Sequence, residues 1–321
     1  MLARIFLSPH EPRLRSGWRL LLHGALALLL ALLFSLAILL PLTALAVVAR
    51  PVLGLESSGL FDELVSSGPP SGRLLVLSAA VSFPAFTLAT WIARRQFDRR
   101  SFRSLGFERR ELAGRDLLAG FCIPGLLFGL IFAAEWALGW VRVEGWLWDT
   151  RSALGTGAVV LGGLVVFALV GFYEELTFRG YYLHNLRDGA GLRWGVFLSS
   201  IAFALAHVGN PFASWTSLAG LIAAGYFLAY AWIRTGQLWL PIGLHLGWNF
   251  FEGTVFGFAV SGTTAPGLLL QRAEGPSLLT GGGFGPEAGL IVLPAMLLGT
   301  WLIRLYTAGR PLSTSQPATH A

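Results

Sequence analysis

The chain contains no lysine, one cysteine (Cys122) and two methionines among 321 residues, and only 12% of it is charged. Soluble domains carry about 25% charged residues, so this chain cannot clothe a soluble globule in a polar skin. A single cysteine excludes a disulfide scaffold, and from its apolar run it says nothing of redox compartment. Low charge with 55% hydrophobic residues, 23 Phe and 12 Trp excludes intrinsic disorder. What remains is a polytopic membrane protein.

All 23 basic residues are arginine, giving a net charge of +6. Their placement argues against nucleic-acid binding, because most sit in short loops between apolar stretches. A helix needs ~20 mostly apolar residues to cross the hydrocarbon core. Eight stretches qualify: Leu20–Ala49 (interrupted by Pro41), Leu74–Ala93, Leu117–Trp140, Ala158–Arg179, Trp194–Val208, Ser217–Ile233, Leu238–Val260 and Ala288–Ile303. The first exceeds a signal-peptide core in length, so Ala44-Leu45-Ala46 is not read as a cleavage site. The expected architecture is an all-α transmembrane helix bundle of about eight spans in the cell membrane. Threading the chain from an inner N-terminus puts eighteen arginines inside and five outside (Arg50, Arg73, Arg142, Arg151 and Arg272). Both termini are therefore expected in the cytoplasm.

Three regions follow: 1–157 with three spans and an arginine-rich inner loop, 158–260 with most of the intramembrane polar groups, and 261–321. The last holds a Gly/Pro-rich external loop, one span and a polar tail. No internal repeat is visible.

Ionisable groups inside a bilayer cost roughly 2.5–3.5 kcal/mol on insertion scales, so each needs a reason. In the fourth span Glu175 and Arg179 are four residues apart and pair on one helix face. Glu174 points about 100° away and stays free of that pair. Alone, such a pair reads as a helix end snorkelling to the interface. The fifth span brings Phe203 and His207; the seventh brings His245 and Asn249 on one face, with Gly243 and Gly247 admitting a close neighbour. If the fourth helix runs on to about Arg187, Glu174 and His207 both lie ~20 Å from the inner ends of their helices, and His245 ~16 Å. These depths predict one cavity, opening toward the cytoplasm, where inner arginines would steer an acidic substrate tail. His23 and Glu135 fall outside the cluster. Glu135 is expected near the outer interface, and Glu252 at the cavity mouth or in a structural role.

Two histidines and a glutamate can hold a divalent metal such as zinc, or activate water directly. Asn249 or an imidazolium can donate to an oxyanion. The helical zinc-protease pattern is missing, since His10-Glu11 is followed by Pro-Arg-Leu, and there is no Gly-x-Ser-x-Gly.

Glu174-Glu175-x-x-x-Arg179-Gly180, Phe203-x-x-x-His207 and His245-x-x-x-Asn249, in that order, resemble the motifs of the CPBP intramembrane proteases. That family comprises type II CAAX prenyl endopeptidases and bacteriocin-processing or immunity proteins. The resemblance spans about residues 160–255. It implies that Glu174 activates water with help from His207, and that His245 and Asn249 support the oxyanion. It further implies that Glu175, Arg179 and Phe203 orient these groups. If a metal is used, Glu174, His207 and His245 would hold it; the metal-free reading is preferred. The partner implied is a membrane-associated or lipidated protein or peptide, within the lipid bilayer. Two other readings remain: a non-catalytic immunity or scaffold protein, and an ion- or proton-coupled transporter, which predicts repeats that are not seen.

Overall fold

The computed structural model describes residues 13–53, 72–108 and 110–310. The polar tail at 311–321, Arg4 and the His10-Glu11 pair lie outside them. Eight principal helices occupy the eight expected places: α1 (Ser16–Leu53), α2 (Gly72–Gln96), α3 (Ala113–Ala137), α4 (Ala153–Ala190), α5 (Leu192–Leu205), α6 (Trp215–Thr235), α7 (239–255) and α8 (Val292–Tyr306). Among the described residues five, α1 to α4 and α6, are long and apolar enough to cross a bilayer. The other three are helical but shorter, 14 residues in α5 and 15 in α8. Pro41 does not break α1, which continues through it.

The fourth helix is the one on which the depth argument turned. It begins at an N-cap where Ser152 accepts from the Gly155 amide at 3.1 Å. It then runs without interruption past Arg179 to Ala190, well beyond the expected end. The turn Leu176–Tyr182 is a π-helix, and α7 ends in a second one at Phe250–Val255. Such widened turns often accompany functional sites.

The chain is not wholly helical. Strands β1 (Val141–Trp146) and β2 (Leu269–Ala273) pair antiparallel, with a register shift between Val143 and Gly145. This hairpin-like sheet folds the Gly/Pro-rich segment against the end of α3, where Glu274 N donates to Trp140 O at 2.7 Å. Glu135, expected near the outer interface, lies in the last turn of α3 at this end, fully buried, and neither of its side-chain oxygens is hydrogen-bonded.

Glycines bring the central helices into contact. A Cβ at Gly243 or Gly247 would collide with the backbone oxygens of Leu117 or Phe121, and one at Gly120 would meet Leu240 O at 2.6 Å. Thus α3 and α7 touch backbone to backbone, the packing that small residues permit inside a membrane. Gly171 sets α4 against α7 in the same way, 3.1 Å from Leu246 N.

The end of the bundle carrying residues 94–116 is tied by buried ion pairs. Asp98 takes Arg94 at 2.7 Å and Arg19 at 3.0 Å, and Asp116 takes Arg310 at 2.8 Å. Near this end His23 is wholly structural in its contacts, bonded to Thr90 Oγ1 at 2.9 Å and stacked on Tyr181. The opposite end carries β1, β2 and residues 256–291. Ser101 and Ser277 are exposed at these two ends. With eight arginines in 94–116, the positive-inside rule predicts that an impermeant thiol reagent labels Ser277→Cys in intact cells. Ser101→Cys should label only after lysis, both in a Cys122→Ser background. Labelling with the opposite pattern would invert the orientation.

Candidate active site

Glu175 lies at the end of the regular part of α4, wholly buried. Its Oε1 accepts Arg179 NH1 at 2.8 Å, the expected i,i+4 pair, and also His245 Nδ1 at 2.9 Å from α7. Arg179 is not at an interface. It is 1% exposed, its NH2 donates to Gly225 O of α6 at 3.2 Å, and its Cζ lies 4.4 Å from the centre of the Phe203 ring. One carboxylate, one guanidinium and one ring therefore lock α4, α5, α6 and α7 together. A carboxylate only accepts, so the hydrogen on His245 is at Nδ1 and its Nε2 faces the cavity.

Glu174 is the free carboxylate. Its Oε1 accepts from the Tyr173 hydroxyl at 3.2 Å, while its Oε2 has no hydrogen-bond partner. That oxygen stands 3.8 Å from His245 Nε2 and 3.9 Å from His207 Nε2. His207 sits just past the last residue of α5, in the turn that follows, rather than inside the helix. Its Nδ1 donates to Phe203 O at 2.9 Å, which fixes the ring and presents Nε2 to Glu174. The Phe203 ring centre is 4.9 Å from that of His207 and 6.0 Å from that of His245, so one aromatic ring braces both imidazoles.

Glu174, His207, His245 and Asn249 line one cavity of about 330 Å³. All four side chains marked in the sequence thus meet, with Phe203 in the wall and Glu175 and Arg179 behind it. Its direction differs from expectation. Further polar lining comes from Ser78, Ser82, Asn210, Ser261, Thr263 and Glu287, which belong to the half of the bundle bearing the 256–291 segment. Among the described residues no arginine contributes. Depths counted from the arginine-rich ends agreed with one another, but they did not say on which side the space between helices is open.

Tyr173, Ser82 and Glu287 were not singled out in the sequence. Tyr173 had a readable signal, since it immediately precedes the two glutamates. Glu287 had none, being embedded in a Gly/Pro-rich stretch that reads as solvent-exposed loop. Glu252, expected at the cavity mouth or as a structural group, is fully buried and does not line the cavity.

Among the described residues no three His, Cys, Asp or Glu side chains are set to hold a metal ion. Bonds near 2.1 Å put tetrahedral zinc ligands about 3.4 Å apart, closer than the separations from Glu174 Oε2 to the two imidazoles. The spacing suits a bridging water better: too long for direct hydrogen bonds, it is spanned by two bonds of ordinary length to one oxygen.

A helical membrane protein with a carboxylate, two imidazoles and a carboxamide around one buried cavity is the class that fold and site define. Residues 156–251 match the family model described as Rce1-like, type II CAAX prenyl endopeptidase Rce1-like. A curated protein of Escherichia coli, titled uncharacterized 24.3 kDa protein, is 34% identical over 101 residues. That match covers 31% of this chain and 43% of the relative's length. No solved structure matches.

Proposed function

We propose that this protein is an intramembrane endopeptidase that hydrolyses a peptide bond in a membrane-associated or lipidated protein or peptide. It would act in the cell membrane, with eight helical segments and both termini in the cytoplasm. The observation that carries the reading is Glu174 Oε2, without a hydrogen-bond partner and facing both imidazole Nε2 atoms in a cavity. The Rce1-like segment supports it by covering all three motifs.

The chemistry follows from which atoms accept. Glu174 Oε2 and His207 Nε2 are both acceptors, so a water between them gives one O–H to each. As its oxygen bonds to the scissile carbonyl carbon, Glu174 takes a proton and the carbonyl oxygen becomes an oxyanion. Asn249 can donate to that oxyanion from its amide. His245 can do so only as imidazolium, because its neutral form carries its hydrogen on Nδ1 toward Glu175. The proton on Glu174 then passes to the leaving nitrogen, the C–N bond breaks, and the carboxylate is restored. Glu174, His207 and His245, the three side chains a divalent metal would need, stand too far apart here for tetrahedral zinc. The steps above route nothing through it.

Tyr173 would keep Oε2 on the histidine side by holding Oε1. Tyr173→Phe retains the ring packed 5.6 Å from Phe86 but removes that donor. A hydrogen bond to a charged group contributes ~1.5–3 kcal/mol, so kcat should fall about tenfold with KM nearly unchanged. Steady-state kinetics in detergent micelles measure this, and an unchanged kcat would remove Tyr173 from the mechanism.

The test of the function itself is cleavage of a library of lipidated and membrane-embedded peptides by the purified protein, read by mass spectrometry. Cut products expected from the native chain and absent with Glu174→Ala support it. A native chain that cuts nothing overturns it.

A further inference from the structure

Taking the hydrolase reading of the cavity as given, we infer that its substrate carries a cationic side chain close to the scissile bond, received by Glu287. Among the described residues the cavity wall contains two carboxylates, Glu174 and Glu287, and no arginine. Arg179, buried behind this wall, is committed to Glu175 and Gly225 and covered by Phe203. A negative cavity walled by Phe167, Phe178 and Phe203 focuses its field, attracting positive charge and repelling the acidic tail that the arginine-rich loops had suggested.

Glu287 is built to present its charge. It accepts Trp248 Nε1 at 3.1 Å on one oxygen, and Ser261 N at 3.1 Å and Ser261 Oγ at 2.5 Å on the other. Ser261 is itself held where Asn210 Nδ2 donates to its carbonyl at 2.9 Å. Three donors fill three of the roughly four acceptor positions of a carboxylate, leaving room for one more. Behind it lies Glu252, completely buried and within electrostatic reach of Glu287. Glu174 and Glu287 thus place two carboxyl groups around one cavity, which calls for a positively charged partner. Glu174 Oε2, 92% buried with its residue and without a partner, points to the same requirement from the other wall. A lysine or arginine side chain in the peptide supplies it, and in doing so sets the scissile bond beside Glu174.

The experiment uses the full chain in detergent micelles and one membrane-embedded peptide in three versions, with Lys, Gln or Glu at the positions flanking the bond that is cut. The Lys version should exceed the Gln version in kcat/KM by at least tenfold, with the Glu version slowest. Glu287→Gln removes the charge, keeps one acceptor oxygen that can still take the two Ser261 donors at the loss of the Trp248 bond, and should bring the Lys:Gln ratio close to one. Equal rates on the three peptides overturn the inference. So does a Glu287→Gln protein that slows all three alike with the ratio preserved, which would make Glu287 a structural anchor only. If no version is cut, the affinity of Glu174→Gln protein for the same three fluorescent peptides decides separately. Tenfold tighter binding of the Lys peptide, lost on adding Glu287→Gln, keeps the cationic subsite while the hydrolase reading fails. Equal binding of all three overturns the subsite too.

Discussion

Glu174→Ala protein should be made and folded at close to native yield, yet lose peptide hydrolysis by at least about 1,000-fold, within the range supplied by a positioned general base. Folding is spared because Glu174 is not part of the packing that joins the helices. Its one hydrogen bond is to the neighbouring Tyr173, and its other oxygen bonds to nothing. Removing it therefore strands no charge, unlike removing a member of the Glu175 cluster. Hydrolysis is lost because no other carboxylate is free to take its place: Glu175 Oε1 is shared between Arg179 and His245, and Glu287 is held by Trp248 and Ser261. Thermal unfolding and turnover measured on the same preparation separate the two effects. Native turnover in the variant would remove Glu174 from the chemistry. A chelator added to the native protein should leave turnover unchanged, in keeping with donor separations wider than a tetrahedral zinc site.

The polar cluster was legible in the sequence because membrane burial makes each polar residue conspicuous. The Glu175–Arg179 spacing predicted its pairing, and the freedom of Glu174 followed from helix geometry alone. Helix positions were equally visible from apolar run length, although α5, α7 and α8 are shorter than the runs that announced them. What could not be read were features that depend on residues far apart in the chain. The β1–β2 pairing joins residues 141–146 to 269–273, and apolar periodicity carries no information about such a partnership. The side on which the cavity lies depends on how helices far apart in the chain pack against one another, which counting residues from helix ends does not capture. Glu287 and Glu252 were obscured for opposite reasons. One sat in a segment whose glycines and prolines suggest solvent, and the other lay three residues beyond Asn249 in a π-helical turn that shifts its direction.

Arg179→Ala should be the most destabilising single change at the site. Arg179 is buried with a charge that is balanced by Glu175, and deleting it leaves that carboxylate in the interior with His245 alone as a donor. Breaking a buried ion pair by removing one partner costs ~3–5 kcal/mol, because the remaining charge keeps its desolvation penalty. Two further contacts vanish with it: the hydrogen bond to Gly225 O, and the guanidinium face against Phe203. The Gly225 carbonyl matters beyond its own bond, since Gly225 is where α6 closes on Ser200 of α5, 2.6 Å from where a Cβ would stand. The loss is thus felt at the junction of four helices rather than on one. At ~2–4 °C per kcal/mol, the melting temperature in detergent should fall on the order of 10 °C, with a lower yield of folded protein. Arg179→Lys keeps the charge but not the planar fork that reaches Glu175 and Gly225 together, so it should recover only part of the stability. Glu175→Gln combined with Arg179→Ala supplies the decisive comparison. Removing both charges should restore stability relative to Arg179→Ala alone, because the cost lies in the stranded carboxylate. A double variant no more stable than the single one would assign the loss to the Gly225 and Phe203 contacts instead, and a native melting temperature for Arg179→Ala would show that the pair does not hold the site together.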